Sequence, residues 1–237
     1  MPSLKDVRNR IVSVGSTMQI TSAMKMVSAA KLKRATDAII QMRPYANKLK
    51  EILENVSSSG DNSDNPFIRP VGGKNILIVP ISSNRGLAGA FNSNIIKKTW
   101  SLIRNEYSSY NVTVLPVGKK VQDAFKRTDY VISGQDLPHH LSDLFDHLKF
   151  DNVAVVAEKI MNSYTSKQFD KIILVYNQFK NAAVQIPTEE QFLPVMPPAN
   201  HEAKSNTDKS ISLLSEPVYG GLNRQSFVLF TAQKLTK

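Results

Sequence analysis

A single helical stripe of apolar side chains cannot bury itself, and residues 1–57 carry such a stripe with little else. Leu4, Val7, Ile11, Val14 and Met18 recur at alternating three- and four-residue steps. After a gap the same register resumes at Leu32, Ala35, Ile39, Met42, Ala46, Leu49, Leu53 and Val56. This is the a/d pattern of a coiled-coil helix. It predicts a rod over residues 1–57, roughly 85 Å long at a helical rise of about 1.5 Å per residue. A rod of this kind needs a partner for its seam, and the sequence contains no second long heptad run. Continued through the gap, the register places Thr21, Lys25 and Ser28 on the seam, with Met24, Met26 and Val27 beside it. A polar interruption marks a register device or a change of partner. Methionine flanking it suits a surface that adapts to several shapes, and equally suits an ordinary core. Pro44 lies inside the rod and is expected to bend or end it.

The rod is also basic. Lys5, Arg8, Arg10, Lys25, Lys31, Lys33, Arg34, Arg43, Lys48 and Lys50 face only Asp6, Asp37, Glu51 and Glu54, so it holds +6 of the chain's net +10. Such a balance points to an acidic partner surface, to nucleic acid, or simply to a solvated face. The first 43 residues contain no aromatic side chain, which removes base stacking and leaves only phosphate tracking for a nucleic acid. The absence of cysteine excludes disulfides, thiolate metal sites and cysteine nucleophiles. Apolar runs such as Ile76 to Ile81 are too short to span a bilayer. The start of the chain shows no signal or transit pattern.

Residues 58–73 are rich in Ser, Asn, Asp and Gly and read as a linker. From Lys74 the pattern alternates. Strands are expected at 76–81, 112–117 and 171–179, with a brief one at 130–132. Residues 182–186 are expected to pair back across Lys180-Asn181. Helices are expected at 91–107, 119–127, 142–148 and 152–164. The fold class is therefore α/β: a long N-terminal coiled-coil helix plus a Rossmann-like α/β domain, residues 74–195, with a mainly parallel sheet closing in a hairpin. Residues 196–237 read as a polar loop and an atypical tail.

The loop Ser82-Ser83-Asn84-Arg85-Gly86-Leu87-Ala88-Gly89 follows a strand and precedes a helix, where α/β folds hold phosphates. It matches neither G-x-G-x-x-G nor G-x-x-x-x-G-K-[ST]. A small-molecule-binding α/β protein is one alternative reading, and a basic coiled-coil nucleic-acid binder is another. His139, His140, His147 and His201 lack metal-ligand spacing beyond one weak group. No G-x-S-x-G elbow is present, and Glu189-Glu190 read as solvated acids in a polar stretch. No catalytic residue, metal or cofactor is assigned.

Three stretches together resemble the γ subunit of the F-type ATP synthase. The first is Leu4-Lys5-Asp6-Val7-Arg8-Asn9-Arg10-Ile11, continuing through Gln19-Ile20-Thr21-Ser22-Ala23-Met24-Lys25-Met26-Val27-Ser28-Ala29-Ala30-Lys31-Leu32. The second is Ser83-Asn84-Arg85-Gly86-Leu87-Ala88-Gly89-Ala90-Phe91-Asn92. The third is Leu174-Val175-Tyr176-Asn177-Gln178-Phe179 with Pro187-Thr188 and Leu193-Pro194. The resemblance implies a non-catalytic rotor shaft. Its N-terminal helix would thread a ring of α and β subunits, and its α/β domain would pack near the ε subunit and the membrane c-ring. It implies a peripheral protein on the cytoplasmic face of a bacterial inner membrane, held there by the complex. No nucleic acid and no small-molecule substrate are implied as partners. Arg8, Arg10, Met24, Lys25, Met26, Lys31, Lys33, Arg34, Asn84 and Arg85 are the implied subunit contacts. The family usually has Asp where this chain has Asn84, and often Cys where it has Ala88. Beyond about Asp208 the sequence, with Pro217-Val218-Tyr219-Gly220-Gly221, does not read as the family's long C-terminal helix. The expectation is a chain lacking that helix.

Overall fold

The computed structural model describes residues 3–58, 65–68, 72–131, 137–138, 141–146, 148–181 and 183–195. The chain divides into two compact units after Tyr45. Helix α1 (Leu4–Ser58) provides the whole of the first unit's regular structure and continues into the second. Its start is fixed by Ser3. The Asp6 amide donates to Ser3 Oγ at 3.3 Å, and the Ser3 amide donates back to Asp6 Oδ2 at 3.2 Å. Two backbone donors are thereby satisfied reciprocally, as in a capping box. Pro44 does not end the helix, contrary to one of the two expectations. The turns after it are held by packing: Ala46 is buried, and Leu53 packs on the core of the second unit. Tertiary burial outweighs the local cost of one lost backbone bond.

The second unit carries a four-stranded sheet of β1 (Asn75–Pro80), β2 (Asn111–Val114), β3 (Lys171–Phe179) and β4 (Gln185–Leu193). The spatial order is β2-β1-β3-β4. β1 runs parallel to β2 and β3, and β4 returns antiparallel along β3. Alternation on the strands divides the core into two layers. Ile76, Ile78, Ile173 and Val175 face α2 (Phe91–Ser101) and α3 (Lys119–Phe125) through Ile95, Val121 and Phe125. Leu77, Val79, Ile172, Leu174 and Tyr176 face α4 (Phe150–Thr165) through Val153, Ala157, Ile160 and Tyr164. Both faces being covered explains why β1 and β3 read as continuous apolar runs.

Several expected elements differ. The helix at 91–107 finishes as a π-helical turn, Leu102–Glu106. Of the strand at 130–132 the described residues show a bridge between Val114 and Val131, and of the helix at 142–148 a 3-10 turn at Asp143–Phe145. β4 begins later and runs further than 182–186, reaching Leu193. Glu189 and Glu190 therefore stand on a strand and are engaged in ion pairs, which corrects their placement in a loop; Glu189 remains exposed while Glu190 is half-buried. The expected linker at 58–73 falls largely outside the described residues, as does all of 196–237. His139, His140, His147 and His201 likewise lie outside them.

Candidate functional site

The implied contact residues fall in two places. Arg8, Arg10, Met24, Lys25, Met26, Lys31, Lys33 and Arg34 lie on the part of α1 within the first unit, and all are exposed. At about 100° per residue, Met24, Lys31 and Arg34 fall on one side of the helix. Met26 and Lys33 fall opposite, and Lys25 lies between them. The set is a band around the helix, not a stripe along it. Every residue from Thr21 to Arg34 is exposed. At and just before its start, Thr21 Oγ1 donates to the Thr17 carbonyl at 2.8 Å, and Thr17 Oγ1 donates to the Ser13 carbonyl at 2.9 Å. These bonds occupy the hydroxyls on their own helix, which leaves the band to methionine and cationic side chains.

The seam residues Leu4, Val7, Ile11, Val14, Met18, Leu32 and Met42 are exposed as well. The stripe that demanded a partner is thus uncovered from Leu4 to Leu32, whereas further along it Ile39, Leu49 and Leu53 are half-buried and Ala46 is buried. The interrupted seam and its methionine flank belong to one continuous exposed surface.

Asn84 and Arg85 belong to the loop between β1 and α2. Hydrogen bonds within the chain fix this loop. Ser82 Oγ accepts from the Val121 amide at 3.0 Å, and the Ser82 amide donates to the Val117 carbonyl at 2.9 Å. The Ser83 amide donates to Asn92 Oδ1 at 3.0 Å, and Asn92 Nδ2 donates to the Arg85 carbonyl at 3.1 Å. Asn84 Nδ2 donates to the Ser142 carbonyl at 2.7 Å, while its Oδ1 accepts from the Lys119 amide at 2.9 Å. The two ends of this amide are distinguished by their partners, since a carbonyl only accepts and a backbone amide only donates. Asn84 therefore pins three segments together, and its polar atoms face inward. The Arg85 side chain is exposed. The loop carries no phosphate-binding pattern. Its glycines serve the turn instead, with Gly89 at φ +55° where a left-handed residue is needed.

The strongest ionisable perturbation lies elsewhere. Tyr176, on β3, donates to Glu190 Oε2 at 2.7 Å, and Lys50 Nζ stands 3.5 Å from Glu190 Oε1. Burial, and then the bond to Glu190, push the Tyr176 phenol well above its ordinary value. On the other face of β4, Lys98 of α2 pairs with Glu189 at 2.7 Å, and this hydrogen bond raises its ammonium pKa. Both clusters staple helices to the hairpin. Among the described residues no group of His, Cys, Asp and Glu is arranged to hold a metal ion. Sequence reasoning missed the Ser3–Asp6 cap, although Ser-x-x-Asp ahead of an apolar register was a readable signal. It also missed Leu87, whose backbone has φ +57° and whose side chain is wholly exposed.

The family described as ATP synthase matches residues 3–225. The ATP synthase gamma chain of Christiangramia forsetii is 45% identical over 218 residues, covering 92% of this chain and 72% of that protein. The gamma chain of Flavobacterium psychrophilum is 50% identical over 201 residues, covering 83% and 67%. Among solved structures, the central stalk and c-ring of the Tetrahymena thermophila mitochondrial ATP synthase contains a chain 25% identical, with a TM-score of 0.56 and 92% of each chain covered. The rotor of the Euglena gracilis mitochondrial enzyme has a chain sharing the fold at 19% identity, with a TM-score of 0.53 and coverage of 97% and 82%. By family match and by identity over most of its length, this chain belongs to the ATP synthase γ-chain family.

Proposed function

We propose that the chain is the central-stalk rotor subunit of a proton-translocating F-type ATP synthase. It is not catalytic itself. Its turning couples proton flow to conformational change in the catalytic β subunits. The observation that carries this reading, beyond family membership, is the band on α1. A shaft enclosed by several subunits must offer contacts on every side, and Met24, Lys25, Met26, Lys31, Lys33 and Arg34 surround the helix. Methionine adapts to surfaces that change shape. The cations suit acidic loops on the surrounding ring, to which Arg8, Arg10 and Arg85 add charge. The ring of α and β subunits is the proposed partner of the helix, and the ε subunit and c-ring that of the α/β body. No helix among the described residues is long and apolar enough to cross a membrane. The proposed location, on the cytoplasmic face of a bacterial inner membrane, therefore rests on the complex.

Reconstitution tests this. The full chain is mixed with α and β subunits from the same organism, and co-elution and ATPase activity are measured. Co-elution with ATPase above that of the α/β mixture alone is expected. No association, or no change in ATPase, would refute the rotor reading.

A further inference from the structure

The open part of the α1 seam carries Leu4, Ile11, Met18, Lys25 and Leu32 at one core position of the heptad and Val7, Val14, Thr21, Ser28 and Ala35 at the other. All of them are exposed, Leu4 at 79%, Ile11 at 66% and Met18 at 69%. Further along, Ile39 is half-buried and Ala46 is buried, so the uncovered seam ends near Ala35. A long apolar stripe in water marks an association surface. Leu4, Val7, Ile11, Val14, Met18 and Leu32 would each bury roughly 100 Å² when covered. With the aliphatic stems of Arg8, Arg10 and Lys31 alongside, the stripe comes close to the area of about 800 Å² that each partner brings to a stable interface.

The flanks of the seam select its occupant. Beside the first core position stand Arg8, Gly15, Ser22, Ala29 and Thr36, and beside the second stand Arg10, Thr17, Met24, Lys31 and Ala38. In a parallel pair, each residue of the second flank meets the first-flank residue of the next heptad on the other strand. Arg10 then meets Gly15 and Lys31 meets Thr36, so no two cations are opposed. Nothing lies within 4 Å of where a Cβ on Gly15 would stand, which leaves room for the Arg10 stem. An antiparallel pair overlapping over the same stretch instead sets Arg10 of each strand beside Lys31 of the other, and like charges so placed repel. Lys25 falls at a core position, where a single lysine specifies register and strand number. Its long stem lets the ammonium reach water beside a two-stranded seam. The Thr21 hydroxyl already donates to the Thr17 carbonyl at 2.8 Å, so covering it strands no donor. We propose that a second copy of this chain covers the seam. Two α1 helices pair in parallel and in register over residues 4–35, which makes the chain a homodimer when it stands outside a larger assembly. The seam carries this proposal, which does not need the rotor reading. Where that reading holds, the dimer is a resting form, because its pairing uses the helix assigned to the ring.

The chain contains no cysteine, so one substitution introduces a unique thiol. Val7→Cys places it on the seam, and Asn9→Cys places it on the opposite side of the helix. Each full-length variant is oxidised with diamide, and covalent dimer is read on non-reducing gels. Val7→Cys should cross-link at least about tenfold faster than Asn9→Cys, because only paired seams hold the two thiols together. Equal rates would overturn the pairing. Faster joining of Val7→Cys to Leu32→Cys than of Val7→Cys to itself would overturn the parallel arrangement. Sedimentation of the unsubstituted chain should show a monomer–dimer equilibrium. It should tighten between about 0.05 and 0.5 M salt, since two basic strands repel less when screened. A monomer at every concentration, its seam covered within one chain, would overturn the proposal, as would a species larger than a dimer. Ile11→Asp alters an exposed position, so the variant should melt within about 2 °C of the parent. Its dimer should dissociate at least about tenfold more readily, because a carboxylate would enter the seam. Unchanged association would overturn the proposal.

Discussion

Removing one hydroxyl tests how the end of α1 is fastened to the sheet. In Tyr176→Phe the ring remains in its layer of the core, where Tyr176 is 3% exposed. The bond of 2.7 Å to Glu190 Oε2 is lost. A hydrogen bond to a charged acceptor contributes about 1.5–3 kcal/mol. The Glu190 side chain is 17% exposed, so water partly compensates and a loss of about 2 kcal/mol is expected. For a protein of this size that lowers the melting temperature by roughly 4–8 °C. The pH dependence gives an independent check. Burial and the Glu190 bond raise the phenol pKa in the folded chain, whereas the unfolded chain retains the ordinary value near 10. The folded state thus holds this proton more tightly. Its contribution is fully present below about pH 10 and declines as pH rises above it. Lys98, also raised, weakens folding in the same direction, but it is common to both proteins and cancels in the comparison. Thermal melts of parent and variant are followed by circular dichroism between about pH 8 and pH 11. The parent should lose stability more steeply above about pH 10 than the variant. Melting within about 1 °C at pH 8, with parallel declines above pH 10, would refute the assigned role of the pair.

Gly118 has φ +100°, and an added Cβ would overlap the Ser82 carbonyl oxygen. Gly118→Ala should cost about 3 kcal/mol or more and melt roughly 6–12 °C lower; an unchanged melt would refute the close approach. Asn84→Asp restores the residue usual in the family yet removes the donor to the Ser142 carbonyl. It should destabilise by about 1–3 kcal/mol, read by urea titration, whereas Asn84→Asp melting above the parent would contradict the assigned bonds. Replacing Lys25, Lys31, Lys33 and Arg34 together by Gln should leave the melt within about 2 °C, because all four are exposed. The same variant should weaken co-elution with α and β subunits and flatten its dependence on salt. An unaltered salt dependence would remove these cations from the contact.

The rod, the layer order and three of the four strands were legible because each rests on periodicity. The heptad spacing of Leu4 through Val56 has one solution, a helix. Ile76 to Ile81 and Lys171 to Phe179 are too apolar to be anything but strands covered on both faces. β4 was only partly legible. Its Thr188-Glu189-Glu190-Gln191 run is polar because both faces of this edge strand carry ion pairs to distant elements. No local pattern reveals a partner such as Lys50, 140 residues away. The exposed cations of α1 were legible in composition, and the loop before α2 was not legible in geometry. Charge counting found the cations of α1, but the inward commitment of Asn84 depends on Ser142 and Lys119, which only the fold brings together. Leu87 escaped because nothing in a one-dimensional pattern separates an exposed leucine from a buried one.

The two consecutive acids of β4 carry the mechanical consequence. Successive strand residues point to opposite faces. Glu189, opposite Val175, meets Lys98 of α2, and Glu190, opposite Leu174, meets Tyr176 and Lys50. One edge strand thus fastens a helix on each side of the sheet. Surface ion pairs alone contribute little, and the Lys50–Glu190 contact is long at 3.5 Å. The hold on the last turns of α1 therefore comes chiefly from packing: buried Ala46, half-buried Leu53 against the core, and the Tyr176 hydroxyl that orients Glu190. Close packing is stiff, so the last turns of α1 are held more by Leu53 against the core than by the charged pair. The stretch from Thr21 to Arg34 is exposed along its whole length and has no such hold among the described residues.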